Sequence, residues 1–289
     1  MLSLDPGKLE DVELKARSFQ VTNVRILNLL SLLASHPGEV YGRLEGIVDS
    51  RLEPFRIPLP SYPISDTDRI DKALLNTLGV QLAPFLREPA LRRIEEEVSQ
   101  RINALPQNGP FSQSLNGDFH LARLCYALCR ALRPANVIET GVCYGVTTAF
   151  LLQSLRESGG GILHSIDLPP LGKEADDFVG ILVPEALRSR WKLQRGTSKS
   201  RLPELLRQIG EVDFFVHDSL HTYRNMQREL TMVTPFLSRP ALVVSDDVEG
   251  NPAFAEWVGS VRPRYWAVLK QEAKPSLLGI ALFDDRKPS

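Results

Sequence analysis

From Asn136 onward, short apolar runs of strand character alternate with stretches of helical periodicity, and few folds accommodate that pattern. The runs fall at Asn136–Thr140, Ile162–Asp167, Trp191–Gly196, Asp213–Asp218 and Ala241–Asp247. Parallel strands cannot be joined by a tight turn; each needs a crossover, usually a helix. Strand–helix units repeated in this way imply a doubly wound, mostly parallel sheet with helices on both faces. Two further runs, Trp266–Leu269 and Gly279–Asp284, are about nine residues apart, too few for a helical crossover. They are expected to pair antiparallel at one edge. The expected fold is α/β: a Rossmann-like, mostly parallel seven-stranded sheet with an antiparallel strand near the C-terminus.

Upstream the pattern is helical. Thr22 suits the cap of a helix whose apolar face includes Ile26, Leu27, Leu30 and Leu33, ending before Pro37 and Gly38. Pro54, Pro58, Pro60 and Pro63 exclude regular helix and central strand, so this stretch reads as a linker or extended arm. Asp66 to Leu105 is helical again, broken near Pro84 and Pro89, and Pro106 to Pro110 forms a loop. The boundary is placed there. Residues 1–110 form a mainly helical N-terminal extension, read as a lid, a dimer surface or a substrate wall. Residues 111–289 form the main domain, which opens with a helix from about Leu115 to Leu132.

Hydrophobic residues make up 43% of the 289, enough for a substantial core. A formal net charge of −1 provides no long-range attraction for nucleic acid or an anionic membrane. No apolar run reaches the roughly 18 residues that span a bilayer. The acidic N-terminus lacks a basic region followed by an apolar core, so a cytoplasmic location is expected. Cys125, Cys129 and Cys143 are too few for a disulfide framework; the first two, one helical turn apart in an apolar stripe, read as core.

In open α/β sheets ligands bind beyond the carboxyl ends of the strands, so the residues ending each strand are the informative ones. The first strand runs into Glu139, Gly141 and Gly145, and a helix follows. Gly141 allows a sharp turn, and Gly145 allows close approach at the helix N-terminus. The second strand ends in Asp167, whose carboxylate can accept two hydrogen bonds from the vicinal diol of a ribose. A dinucleotide site would carry G-x-G-x-x-G against a pyrophosphate. Here Glu139 stands immediately before the loop. It would repel a pyrophosphate but suits the cationic amino-acid end of S-adenosylmethionine.

These strand ends resemble the first two motifs of class I S-adenosylmethionine-dependent methyltransferases. His217-Asp218-Ser219-Leu220-His221-Thr222-Tyr223 and Ser245-Asp246-Asp247-Val248 resemble a subgroup with small-molecule O-methyltransferases of antibiotic and sugar tailoring. The resemblance covers roughly residues 115–285. It implies that Glu139, Gly141 and Gly145 hold the methionine part and Asp167 the ribose. Thr197 and Ser198 would fall at the adenine, though turn and cap roles suit them nearly as well.

Asp218, His221, Asp246 and Asp247 are expected to converge if the fourth and fifth strands are neighbours. Three carboxylates in reach of one another need a neutralising partner. Magnesium at Asp218, Asp246 and Asp247 would provide it and would lower the pKa of a substrate hydroxyl. His221 is the candidate general base, with Asp218 beside it. Related metal-dependent enzymes often carry an acid where Leu220 stands. His217 alternates to the opposite face and is set aside.

The expected function is methyl transfer from S-adenosylmethionine to a small molecule, at a hydroxyl oxygen, in a protein that pairs with neither nucleic acid nor membrane and can form a homodimer. The alternatives are a catalytically inactive cofactor-binding regulator and a nicotinamide-dependent oxidoreductase.

Overall fold

The structure, a computed structural model, describes residues 37–53, 59–106, 108–112, 119–172, 174–272 and 274–284. The helix expected from Thr22 to Leu33 lies outside them. Seven strands form one sheet: β1 (Asn136–Thr140), β2 (Ile162–Asp167), β3 (Trp191–Arg195), β4 (Val212–His217), β5 (Leu237–Ser245), β6 (Tyr265–Lys270) and β7 (Leu277–Phe283). Their order is β3-β2-β1-β4-β5-β7-β6. The first five strands are parallel, whereas β7 runs antiparallel between β5 and β6. Strand order therefore reverses between β1 and β4, where a ligand crevice is expected.

Helices cover both faces. The helices are α1 (Pro37–Leu52), α2 (Thr67–Leu78), α3 (Pro89–Asn103), α4 (Phe119–Leu132), α5 (Val146–Ser158), α6 (Ser198–Ile209), α7 (Tyr223–Val233) and α8 (Ala253–Val261); Ala83–Leu86 and Ala175–Phe178 add single turns. Side chains alternate across the strands, so each strand feeds two cores. Phe214 and Val216 of β4 join Leu242 and Val244 of β5 in a core with α2 to α5. Phe215 and Val243 turn the other way, against α6, α7 and α8. Cys125 and Cys129 are fully buried in the first core, as their spacing predicts.

The N-terminal helices share that first core: Ile70, Leu74, Leu91, Ile94 and Val98 pack in the same cluster as the strand residues. Asp66 caps α2 by accepting from the Arg69 amide, and Pro89 opens α3 at a position where its missing N–H costs nothing. The boundary proposed near residue 110 falls in the connection between α3 and α4. Within the proline-rich arm, Ile64 bridges to Val268 of β6, and the Ser65 amide donates to the Val268 carbonyl at 2.7 Å. One element was not anticipated. The Pro37–Gly38 pair reads as a helix stop, but proline is equally suited to a first helical position, and α1 starts there. Among the described residues no helix is long and apolar enough to cross a membrane.

A single carboxylate sets the amino ends of the central strands. Asp213 Oδ2 accepts from the Ala135 and Asn136 amides at 2.8 and 2.9 Å, while Oδ1 accepts from Ser238 Oγ at 2.7 Å. It ties β4 to the starts of β1 and β5. Asp213→Ala removes three hydrogen bonds from the sheet entry and is expected to cost about 1–3 kcal/mol in urea denaturation, without change in slope.

Candidate active site at the carboxyl ends of the strands

The loop after β1 is shaped by two glycines in left-handed conformations. Gly141 has φ of 86° and Gly145 of 94°. A Cβ on Gly141 would collide with the Asp218 carbonyl, and one on Gly145 would lie 2.8 Å from Gly180 Cα. The close approaches that demand glycine here are thus made by the protein's own backbone. The Gly180 and Leu182 amides donate to the Cys143 and Tyr144 carbonyls at 2.9 and 3.0 Å, pinning the loop from outside.

Asp167, ending β2, grips the same loop. Its Oδ2 accepts from the Val142 amide at 2.6 Å and the Cys143 amide at 2.9 Å. Burial raises its pKa, and those two amides only partly offset this. Glu139, ending β1, is wholly buried. It accepts from Thr148 Oγ1 at 2.8 and 3.0 Å and from Ser165 Oγ at 2.7 Å. Burial pushes its carboxyl up to about 8; the hydroxyls of Ser165 and Thr148 pull it down, and Asp218 and Asp167 push it further up.

Thr197 and Ser198 sit after β3, as expected, but their hydroxyls are engaged locally. Thr197 is the N-cap of α6, accepting from the Ser200 amide at 3.2 Å. Ser198 Oγ donates to Asn225 Oδ1 at 3.3 Å.

The ends of β4 and β5 are adjacent, and their polar residues converge. His221 Nδ1 lies 3.1 Å from Asp247 Oδ2, and Nε2 lies 3.6 Å from Asp218 Oδ1. Burial disfavours a charged imidazole, but the two carboxylates outweigh it and lift the pKa to about 10. Asp246 is buried, and its acidity is weakened first by burial and then by Asp218 and Asp247. Gln271 Nε2 donates to Asp246 Oδ1. Burial also acts on Asp247, yet His221 holds its carboxyl below the usual range. Asp247 adopts a left-handed φ of 50°, a conformation that Asp tolerates better than most residues.

Ligand atoms of Asp218, His221 and Asp246 lie within 4.8 Å of one another, a spacing one cation could bridge. Asp247, expected beside Asp218 and Asp246 at a cation, has its carboxylate against the His221 imidazole. His221 does not cap α7: Thr222 does, accepting from the Asn225 amide. Asn251 holds this loop, donating to the His221 carbonyl at 3.1 Å and accepting from the Ala253 amide at 2.9 Å. Tyr223 turns its hydroxyl to Glu256, at 2.7 Å.

Behind the cleft stands a residue that the sequence reading missed. Glu229 of α7 is fully buried. Its Oε2 accepts from Thr140 Oγ1 at 2.5 Å and meets His217 Nδ1 at 2.7 Å; its Oε1 accepts from Ser219 Oγ at 2.7 Å and Asn225 Nδ2 at 2.9 Å. Burial opposes its charge, but His217 and the hydroxyl donors hold the carboxyl at about 2. The His217 ring stands edge-on to His221, centroids 5.6 Å apart. A signal was present in the sequence: Asn225 and Glu229 lie on the same helical face as Met226, Leu230 and Val233. Polar residues on a buried face require partners.

Residues 138–248 match the family model described as a methyltransferase domain. No curated protein sequence matches the chain. The O-methyltransferase of Bacillus cereus, solved with S-adenosylhomocysteine, superposes with a TM-score of 0.50 at 14% identity, covering 75% of this chain and 97% of that one. The O-methyltransferase TomG of Streptomyces achromogenes, involved in tomaymycin synthesis and solved with S-adenosylmethionine, gives 0.50 at 16% identity, covering 76% and 100%. An O-methyltransferase candidate from Klebsiella pneumoniae gives 0.51 at 16% identity, covering 75% and 96%. The sheet and its flanking helices have the Rossmann-like methyltransferase fold that these neighbours share.

Two expectations follow. Glu139 is an acid with a raised folded pKa, so the stability linked to it is complete below about 4.5 and is lost as pH rises through about 8. Glu139→Gln removes that dependence. Between pH 5 and 9 the wild-type melting temperature should fall by at least about 3 °C relative to the variant in parallel thermal scans. Glu229→Ala leaves His217, Thr140, Ser219 and Asn225 without their shared acceptor. It should cost about 3–5 kcal/mol in denaturant titration, the range for breaking a buried charge pair.

Proposed function

We propose that the protein transfers the methyl group of S-adenosylmethionine to a hydroxyl oxygen of a small molecule. The observation that carries this reading is the convergence of Asp218, His221, Asp246 and Asp247 at the ends of adjacent strands, beside the loop gripped by Asp167. The cofactor would lie across the β1 and β2 ends, beside the crevice between β1 and β4 where strand order reverses. The Gly141–Gly145 loop would receive its methionine part, with Glu139, wholly buried and engaged by Thr148 and Ser165, standing behind that loop rather than meeting the ligand. Asp167 spends Oδ2 on the loop amides and would offer Oδ1 to the ribose. Thr197 and Ser198 carry no cofactor role in this proposal, since their hydroxyls serve the helix start and Asn225.

Methyl transfer is an in-line displacement, so the acceptor oxygen, methyl carbon and sulfur must be held collinear. The new O–CH₃ bond forms as the S–CH₃ bond breaks, and the sulfonium leaves as a neutral thioether. The acceptor proton passes to a carboxylate of the Asp218–His221–Asp247 cluster, because the imidazole, lifted to about 10, is already charged near neutral pH and itself becomes the base only in alkaline solution. Asn251 holds the His221 backbone in place for this step.

A second reading adds a divalent cation, favoured by the spacing of Asp218, His221 and Asp246. Carboxylate oxygens suit magnesium or manganese, and the cation would polarise the acceptor hydroxyl. Asp247 would then be the carboxylate that orients the ligating imidazole.

Calorimetric titration with S-adenosylhomocysteine tests the cofactor reading. Wild type should bind in the micromolar range, and Asp167→Asn should bind at least about tenfold more weakly, about 1.4 kcal/mol. Folded wild type that binds no S-adenosylhomocysteine, with or without magnesium, overturns it. Thermal shift with added magnesium decides the cation: a rise in wild type that disappears in Asp246→Asn supports it, and no rise leaves the metal-free cluster. His221→Ala should lower turnover of a hydroxylated substrate by about 10²–10⁴ while largely preserving S-adenosylhomocysteine binding.

A further inference from the structure

Helix α1 crosses the carboxyl ends of β2, β3 and β4, the side of the sheet on which the cofactor is placed above. Arg43 donates to the carbonyl of Pro169, two residues past Asp167, at 2.6 Å. Glu39 pairs with Arg195, which ends β3. Glu45 meets Lys199 at 2.7 Å and Arg228 at 3.6 Å, and Asp49 meets Arg224 at 3.1 Å. Glu53, just past the helix, accepts from the Tyr223 and Arg224 amides at 2.6 and 3.2 Å, at the start of α7. Two glycines let the helix sit down closely. A Cβ on Gly42 would lie 2.8 Å from Thr197 Cγ2, and one on Gly46 would lie 3.0 Å from Leu220 Cδ2.

The manner of attachment is unusual. A helix fixed to a core buries its apolar stripe. This one turns Tyr41, Leu44, Ile47, Val48 and Leu52 outward, each at least 40% exposed, and among the apolar side chains described from residue 38 on places only Val40 in the interior. It is held by charge pairs that are individually weak and screened by salt. Such an element belongs to the low-stability end of a fold and can lift while the sheet stays intact.

We propose that α1 is a strap over the adenosyl end of the cofactor cleft, closed by its acidic inner face and opened for cofactor exchange. This rests on the cofactor reading above. The strap sets how fast the cofactor enters and leaves, and the Gly42–Gly46 face forms its inner wall.

A disulfide staple tests it. The Cβ built at Gly42 lies 3.7 Å from Thr197 Cβ, close to the separation of about 3.8 Å found in disulfides. In Gly42→Cys/Thr197→Cys the clashing methyl of Thr197 is also removed. Oxidised without ligand, this variant should take up S-adenosylhomocysteine at least tenfold more slowly than when reduced. Loaded first and then oxidised, it should release the ligand at least tenfold more slowly, with dithiothreitol restoring exchange. Gly42→Cys alone, under the same oxidant, controls for damage elsewhere. Independently, Glu45→Gln/Asp49→Asn should speed release several-fold and flatten its acceleration by salt. Exchange rates within threefold of each other in oxidised and reduced protein overturn the strap while leaving the cofactor reading intact. Failure of both folded wild type and the reduced variant to bind S-adenosylhomocysteine overturns the cofactor reading and the strap with it.

Discussion

The buried carboxylate of Glu229 is the point on which the site depends. It reaches from α7 to the last residue of β1 and the last residue of β4, and it holds Ser219 and Asn225 on either side of the loop between β4 and α7. A charge removed from water is tolerable only with a full set of partners. Here each partner belongs to an element that must be in register for the bond to form. The carboxylate therefore converts a polar necessity into geometry: with Glu229 satisfied, the loop carrying Asp218 and His221 has little freedom. Asp167 does the same for the loop after β1, and Asp213 for the opposite ends of the strands.

The site is consequently a layered acid system. The deepest carboxylates, Glu139 and Glu229, are saturated by hydroxyls and, for Glu229, by an imidazole. The outer ones, Asp218 and Asp247, flank His221 and leave a carboxylate-rich cleft with one imidazole between them. Burial raises both Glu139 and Glu229, yet their net shifts run in opposite senses because only Glu229 has a basic neighbour. Such spread acidities in one crevice are the usual mark of a reactive site. They fit chemistry in which a proton must leave an acceptor while a positive sulfonium is received nearby.

Much of this was legible in the chain. Apolar runs of the right length between helical stretches located all seven strands, with ends displaced by a few residues, because a buried parallel strand must be apolar and must be followed by a crossover. Asp167, Asp218, His221 and Asp246 were legible because polar residues at strand ends face a crevice. Glu229 was not singled out, although a carboxylate on an otherwise apolar helix face signals a buried partner. Helix α1 was misread at its start, since a Pro-Gly pair punctuates the chain in either direction and only tertiary contacts show which.

Sequence alone determined the class of fold, the order of its strands along the chain and the residue types at their ends, because periodicity and turn chemistry are local. Tertiary structure decided the rest. It placed β4 between β1 and β5, so that Asp218 and Asp246 became neighbours, and it slipped β7 between β5 and β6. It turned Asp247 toward His221, and it set Thr197 as the N-cap of α6. It also laid α1 across the strand ends by charge pairs between residues more than a hundred positions apart. Pairings of that range depend on how the sheet is wound, and no local pattern encodes them.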